Sequence, residues 1–239
     1  MKVPKVIVPK HAMFNYDTVN IFTDASIIKY PNETTGCAGA HIATGYDATS
    51  EILEQPRIII RNSTNNNSEI NAILLGVRCA LRYKNFKQIN LISDSKICIF
   101  GLREWIFNWI RDSQGSDVLI SSQGTEVANQ QVILQIIYTI LNNDLRINLF
   151  HQNGHVNVNN QKQMENAKNT FINSNHIKDD IDMDLIKEIS IGNDIVDKFT
   201  KKELKNFAPE TPIPNTQELV RFFYDPFDVD KYKHLLKIK

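Results

Sequence analysis

Two stretches of this chain share one design. VNIFTDAS (19–26) and INLISDS (89–95) each carry an apolar, β-branched run of strand length, followed by an aspartate with a serine close behind. An ionised carboxylate delivered by a buried strand is costly unless something pairs with it. A fold for this chain must therefore bury both strands and find partners for Asp24 and Asp94.

The pattern around these runs reads as α/β. An N-terminal arm over 1–16 leads into strands expected at 18–23, 37–46 and 56–61, the last being PRIIIR, arranged as an antiparallel meander. Asn62–Ser68 is a polar, asparagine-rich turn. From Glu69 the apolar residues Ile70, Ile73, Leu74, Val77 and Leu81 recur at helical spacing. A strand at 89–93, a helix from Ser95 to Trp109, a helix near 127–142, a strand at 145–151 and a last helix from Asn193 to Asn206 follow. Three antiparallel strands and then strands alternating with helices predict a mixed five-stranded sheet flanked by helices. The body is expected over 17–206, with a polar insert at about 156–190 that includes KDDIDMD (178–184). Residues 207–239 form a tail. Prolines in APETPIP mark it as a linker, and Phe222, Phe223, Tyr224, Phe227 and Tyr232 make it a segment that packs on the body or docks a partner.

Charge narrows the function. Lys+Arg and Asp+Glu both total 27, so the chain lacks the basic excess usual where binding rests on non-specific attraction to phosphates. Residues 112–145 contain no Lys or Arg. A nucleic-acid role must rest on local patches, metal ions or neutral hydrogen-bonding groups. The cysteines Cys37, Cys79 and Cys98 have no metal-ligand spacing and read as reduced thiols of a cytoplasmic protein. No signal peptide and no membrane-spanning run is visible, so no membrane partner is expected.

Four carboxylates carry the chemistry. Asp24 and Asp94 follow strands, Glu69 opens a helix after a polar loop, and Asp197 sits one turn into the last helix, after Gly192-Asn193-Asp194. A single aspartate in such a place is most often a cap or turn residue. Four in this order of elements are harder to dismiss. Grouped carboxylates repel and need cations to stay ionised, and hard oxygen ligands suit Mg²⁺ or Mn²⁺. Two such ions about 4 Å apart can activate a water and stabilise the leaving oxygen of a phosphodiester.

In these residues the chain resembles the type 1 ribonuclease H family. The likeness rests on VNIFTDAS (19–26), NSTNNNSEINAILLGVRCAL (62–81), INLISDSKICIFGLREWIFNW (89–109) and GNDIVDKFT (192–200), and covers roughly 17–206. Ala25 stands where the family usually has Gly. The resemblance implies a ribonuclease H-like fold and an endoribonuclease that hydrolyses the RNA strand of RNA–DNA hybrids. It implies two Mg²⁺ ions on Asp24, Glu69, Asp94 and Asp197, with Mn²⁺ as a substitute. Asn65 and Asn66 would read the RNA 2′-hydroxyl, Thr64 would take a phosphate of the DNA strand, and Trp105 would face the DNA sugars. His155 would assist proton transfer or product release, with His151 as runner-up. About forty residues separate His155 from Asp197, where the family commonly has about ten, and the lysine-rich handle many relatives carry is missing. Binding by the domain alone is then expected to be weak and salt-sensitive, with a replication or reverse-transcription protein as a possible tether through the tail. Two alternatives stand beside this: a nuclease of the same fold acting on another nucleic acid, and a non-catalytic adaptor that binds nucleic acid or protein.

Overall fold

The computed structural model describes residues 6–116 and 118–207. The aromatic tail therefore lies outside the described residues, apart from Phe207.

A long hairpin forms the frame. β2 (Thr18–Lys29) pairs antiparallel with β3 (Thr34–Thr44), and β1 (Ile7–Val8) lies apart, upstream. The third strand comes in two pieces, β4 (Glu51–Glu54) and β5 (Arg57–Ile60), both antiparallel to the outer side of β3. Gln55-Pro56 breaks it, because proline has no N–H for the ladder. The Pro56 carbonyl still accepts from Ala40 N–H at 3.0 Å. The sheet thus has six strands where five were expected. β6 (Gln88–Ser93) runs parallel to β2, and β7 (Asn148–His151) parallel to β6, giving the order β4-β3-β2-β6-β7 with β5 beside β4 on β3.

Register between the parallel strands is pinned by a row of amides, two of them, Asn20 and Asn90, fully buried. Asn20, Asn90 and Asn148 stand directly opposite one another. Asn148 Nδ2 donates to Asn90 Oδ1 at 3.0 Å, Asn90 Nδ2 to Asn20 Oδ1 at 2.9 Å, and Asn20 Nδ2 to the Met13 carbonyl at 2.9 Å. A one-residue slip would leave the two buried amides unpaired, at about 1–3 kcal/mol each.

Helices cover both faces. On one side α1 (Asn65–Ala80), α2 (Lys96–Phe100), α3 (Ile106–Asp112) and α4 (Gln130–Asn142) pack on Val19, Ile21, Ile89 and Leu91. A π-helical turn, Gly101–Trp105, joins α2 to α3. On the other side α5 (Gln161–Ser174) and α6 (Met183–Asn206) pack on Phe22, Ile92 and Phe150. The segment 156–190 holds α5, β8 (Asp180–Ile181) and the start of α6. β8 pairs parallel with β1, and Met13 and Phe14 of the arm are buried in the same apolar cluster as Phe171 and Ile189. Burying side chains of this size stabilises by roughly 1.5–3 kcal/mol each. The last helix starts ten residues before the expected Asn193, because Asp182 caps it, accepting from Asp184 N–H at 3.0 Å.

Candidate active site

The register decides where the carboxylates meet. Thr23 pairs with Ser93, so Asp24 and Asp94 leave adjacent parallel strands side by side. Asp24 does not end its strand: β2 continues to Lys29 along β3, and it is the β6 partner that stops at Ser93. Asp24 therefore lies mid-strand at the open corner of the sheet. Its Oδ1 accepts the Ala25 N–H at 2.7 Å.

Glu69 comes from α1. Thr64 caps that helix, its Oγ1 accepting from Asn67 N–H at 3.1 Å, so the helix begins at Asn65 and Glu69 sits on its second turn. One carboxyl oxygen from each of Asp24, Glu69 and Asp94 lies within 4.8 Å of the other two. Asp24 and Glu69 are buried, and Glu69 Oε2 has no hydrogen-bond partner.

Asp197 reaches the group from the middle of α6, not from its first turn. Gly192 lets α6 close on the sheet: a Cβ there would stand 2.4 Å from the Phe22 ring. Ser26 Oγ and Thr200 Oγ1 are 3.0 Å apart and tie β2 to α6 below the site. Asp197 is buried beside the three carboxylates and bonds Lys201 Nζ at 2.8 Å.

Crowding and dryness perturb the acids. Burial, then the Asp94 charge, pushes Asp24 up to about 8, against the pull of the Ala25 N–H. Burial, then Asp24, Asp94 and Asp197, pushes Glu69 up to about 9. Asp94 is also raised by burial, opposed by a hydrogen bond from the Asn193 side chain and by His155. A group of acids that resists ionisation this strongly and keeps a dry, unpartnered oxygen fits a divalent cation as its missing partner. Asp24, Glu69 and Asp94 could hold one directly, with Asp197 adjoining.

The cleft holding these acids measures about 470 Å³ and is also lined by Asn65, Ser95, His155, Lys201 and Lys205. His155 is largely exposed, in the left-handed region at φ 53°, with Nδ1 3.7 Å from Asp197 Oδ2. His151, the alternative, is buried with its ring edge-on to Phe100, and burial lowers its pKa. Gly154 presses on the site, since a Cβ there would stand 2.2 Å from Asp94 Oδ2. Asn66 does not line the acidic cleft. It opens into a neighbouring groove with Trp109, Ser121 and Asn129. Trp105 is partly exposed and packs its ring against Phe100 and Trp109.

Ser95, Asn193, Gly154, Lys201 and Lys205 join the site without having been singled out as site residues. Of these, Lys201 was legible as an i,i+4 partner of Asp197, and Asn193 lay within the GND stretch.

A mixed sheet in this order, with acids converging from β2, α1, β6 and α6, defines an RNase H-type α/β domain. The chain belongs to the RNase H family, whose model matches residues 16–172. Among solved structures, a foamy viral protease-reverse transcriptase in complex with RNA/DNA hybrid is similar at 15% identity and TM-score 0.50, over 74% of this chain and 22% of that one. The chain thus spans about a fifth of that protein's length. The PFV RNase H domain is similar at 19% identity and TM-score 0.50, over 72% of this chain and 99% of that domain. No curated protein matches the chain. Among the described residues no helix is long and apolar enough to cross a membrane.

Proposed function

We propose that the chain is an endoribonuclease that hydrolyses the RNA strand of RNA–DNA hybrids, leaving 3′-hydroxyl and 5′-phosphate ends. The observation that carries this reading is the convergence of three carboxylates within 4.8 Å, one with an unpartnered buried oxygen, in an RNase H family chain. Two divalent cations, Mg²⁺ or in its place Mn²⁺, would be held by Asp24, Glu69, Asp94 and Asp197, and when bound would supply water activation and charge neutralisation at the phosphate.

The chain's own groups supply the rest. Asn65 faces the cleft, where its amide can both donate to and accept from a 2′-hydroxyl, and this separates RNA from DNA. Asn66 stands one residue on, over the second groove, where the same chemistry reaches the adjacent nucleotide. The Thr64 oxygen accepts the cap bond, leaving its O–H free to donate to a DNA-strand phosphate at the α1 N-terminus. Trp105 offers an exposed ring edge to the DNA sugars. His155, exposed and close to Asp197, moves a proton at the edge of the site. The segment 207–239 is the proposed tether to a replication or reverse-transcription protein.

A cleavage assay tests this. Labelled hybrid, double-stranded RNA, single-stranded RNA and DNA duplex are offered with Mg²⁺, Mn²⁺ or EDTA at low salt. Metal-dependent cutting of the hybrid's RNA strand, abolished by Asp94→Asn with binding retained, is the expected result. Folded protein that leaves the hybrid intact with every metal refutes it.

A further inference from the structure

The acidic cleft has a basic end. Beyond the carboxylates it runs along Ser26, Ile27 and Ile28 of β2 and the last turns of α6, where Lys201, Leu204 and Lys205 form its wall. Asp197, Lys201 and Lys205 repeat every four residues, so they share one stripe of the helix. Leu204 is buried and anchors that stripe on the sheet. At 1.5 Å per residue, Lys201 stands about 6 Å and Lys205 about 12 Å along the helix from Asp197. A strand leaving the acids along β2 and α6 would cover that span within a few nucleotides.

The other lysines of this helix end are disposed differently. Lys198 is paired with Asp194 at 2.5 Å, off the cleft. Lys202 is exposed and does not line the cleft. Lys201 is held by Asp197, and Lys205 has no carboxylate partner among the described residues. The stretch 112–145, whose helix α4 packs in the other core cluster, has no Lys or Arg with which to hold phosphate.

We propose that Lys201 and Lys205 form a subsite for the phosphates of the RNA strand on one side of the cut. Lys205 takes a phosphate outright. Lys201 would exchange its Asp197 carboxylate for a phosphate as the strand settles, leaving Asp197 available to the cation it would help hold. This rests on the hybrid-cleavage reading above and names the binding surface that the absent handle would otherwise supply.

Hybrid binding is read by fluorescence anisotropy in the full chain carrying Asp94→Asn, between 50 and 200 mM salt. Adding Lys205→Gln is expected to flatten the plot of log affinity against log salt by about 0.9, since one fewer counterion is released. Over this fourfold change in salt, the affinity loss then shrinks by about 3.5-fold. Lys202→Gln removes the same charge from another face and is expected to leave the slope near the parent's. Replacing single RNA phosphates within a few nucleotides of the cut by neutral methylphosphonates should weaken binding in the parent but not in Lys205→Gln. Equal slopes for Lys205→Gln and Lys202→Gln, with no phosphate position coupled to Lys205, overturn the subsite. If the unmutated chain cuts hybrid RNA, that result overturns the subsite alone. If it cuts no hybrid and Asp94→Asn prefers none over DNA duplex, both readings fall.

Discussion

Replacing Asp24 by Asn should make the metal-free protein more stable at neutral pH while destroying any metal-dependent activity. Asp24 is buried, and its pKa rises from the ordinary 3.8 to about 8. The folded pKa lies above the unfolded one, so this carboxyl favours folding fully below about pH 4 and loses that contribution as pH climbs through about 8. At 1.36 kcal/mol per unit, the loss reached by pH 7 is about 4 kcal/mol for this carboxyl alone. Asp94 and Glu69 share the burden, because a proton taken up by either relieves Asp24, so the expected net gain on substitution is about 2 kcal/mol. Asn keeps the oxygen that accepts the Ala25 N–H, so the backbone there need not move. For a domain of this size the gain is about 4–8 °C in Tm. Thermal melts at pH 5 and pH 8, in EDTA and in Mg²⁺, measure it. The parent should lose stability from pH 5 to pH 8 in EDTA and regain it with Mg²⁺, whereas Asp24→Asn should be flatter with pH and gain less from the metal. A parent insensitive to pH in EDTA, or an Asn variant less stable than the parent at pH 8, would refute the picture of a strained acidic cluster.

Other expectations are simpler. Gly154→Ala places a Cβ 2.2 Å from Asp94 Oδ2, so kcat should fall by roughly 10–100-fold with the circular dichroism spectrum unchanged. Phe14→Ala removes a fully buried ring of the arm and should destabilise by about 3–5 kcal/mol in urea titration, with little change in KM if the arm is purely structural. Trp105→Ala should weaken hybrid binding about fivefold, near 1 kcal/mol, and barely move Tm. Trp109→Ala, whose ring lies under Gly101 and packs on the core, should lower Tm clearly.

The elements that the sequence made legible are those in which one residue pattern matched one environment. The runs before Asp24 and Asp94 are buried strands, each setting its apolar residues around one buried asparagine, and their parallel register then brings the acids together. The helical spacing from Glu69 was equally plain, since Ile70, Ile73, Leu74 and Val77 all face one core cluster. Failures arose where tertiary contact overrode local pattern. Glu51–Glu54 carries two glutamates and was not among the expected strands, but β3 recruits it, and Glu54 is occupied by Arg82 at 2.6 Å. Gly192-Asn193-Asp194 looked like a helix start, yet it is helix interior, with the glycine there to admit Phe22. The polar stretch after His155 hid α5, whose buried face is only Met164, Ala167 and Phe171. Within the site, proximity could not be read from residue types: Asn66 neighbours Asn65 in sequence but opens into a different groove.

The pairing of β1 with β8 also orders events in time. The Val6 and Val8 carbonyls accept from Asp180 and Asp182 N–H at 3.0 Å, and Asp182 is the residue that starts α6. During synthesis Ile7 emerges long before Asp180 and waits for it before it can pair. The cluster that buries Met13 and Phe14 is likewise incomplete until Ile186 and Ile189 arrive. Contacts this distant in sequence form late, because the chain between them must be gathered first. A nascent or prematurely ended chain therefore carries Asp24, Glu69 and Asp94 but no Asp197, no Lys201 and an open apolar face. Such a fragment offers its apolar face to chaperones and proteases, and the four-carboxylate cluster closes only when the oldest and youngest parts of the domain meet.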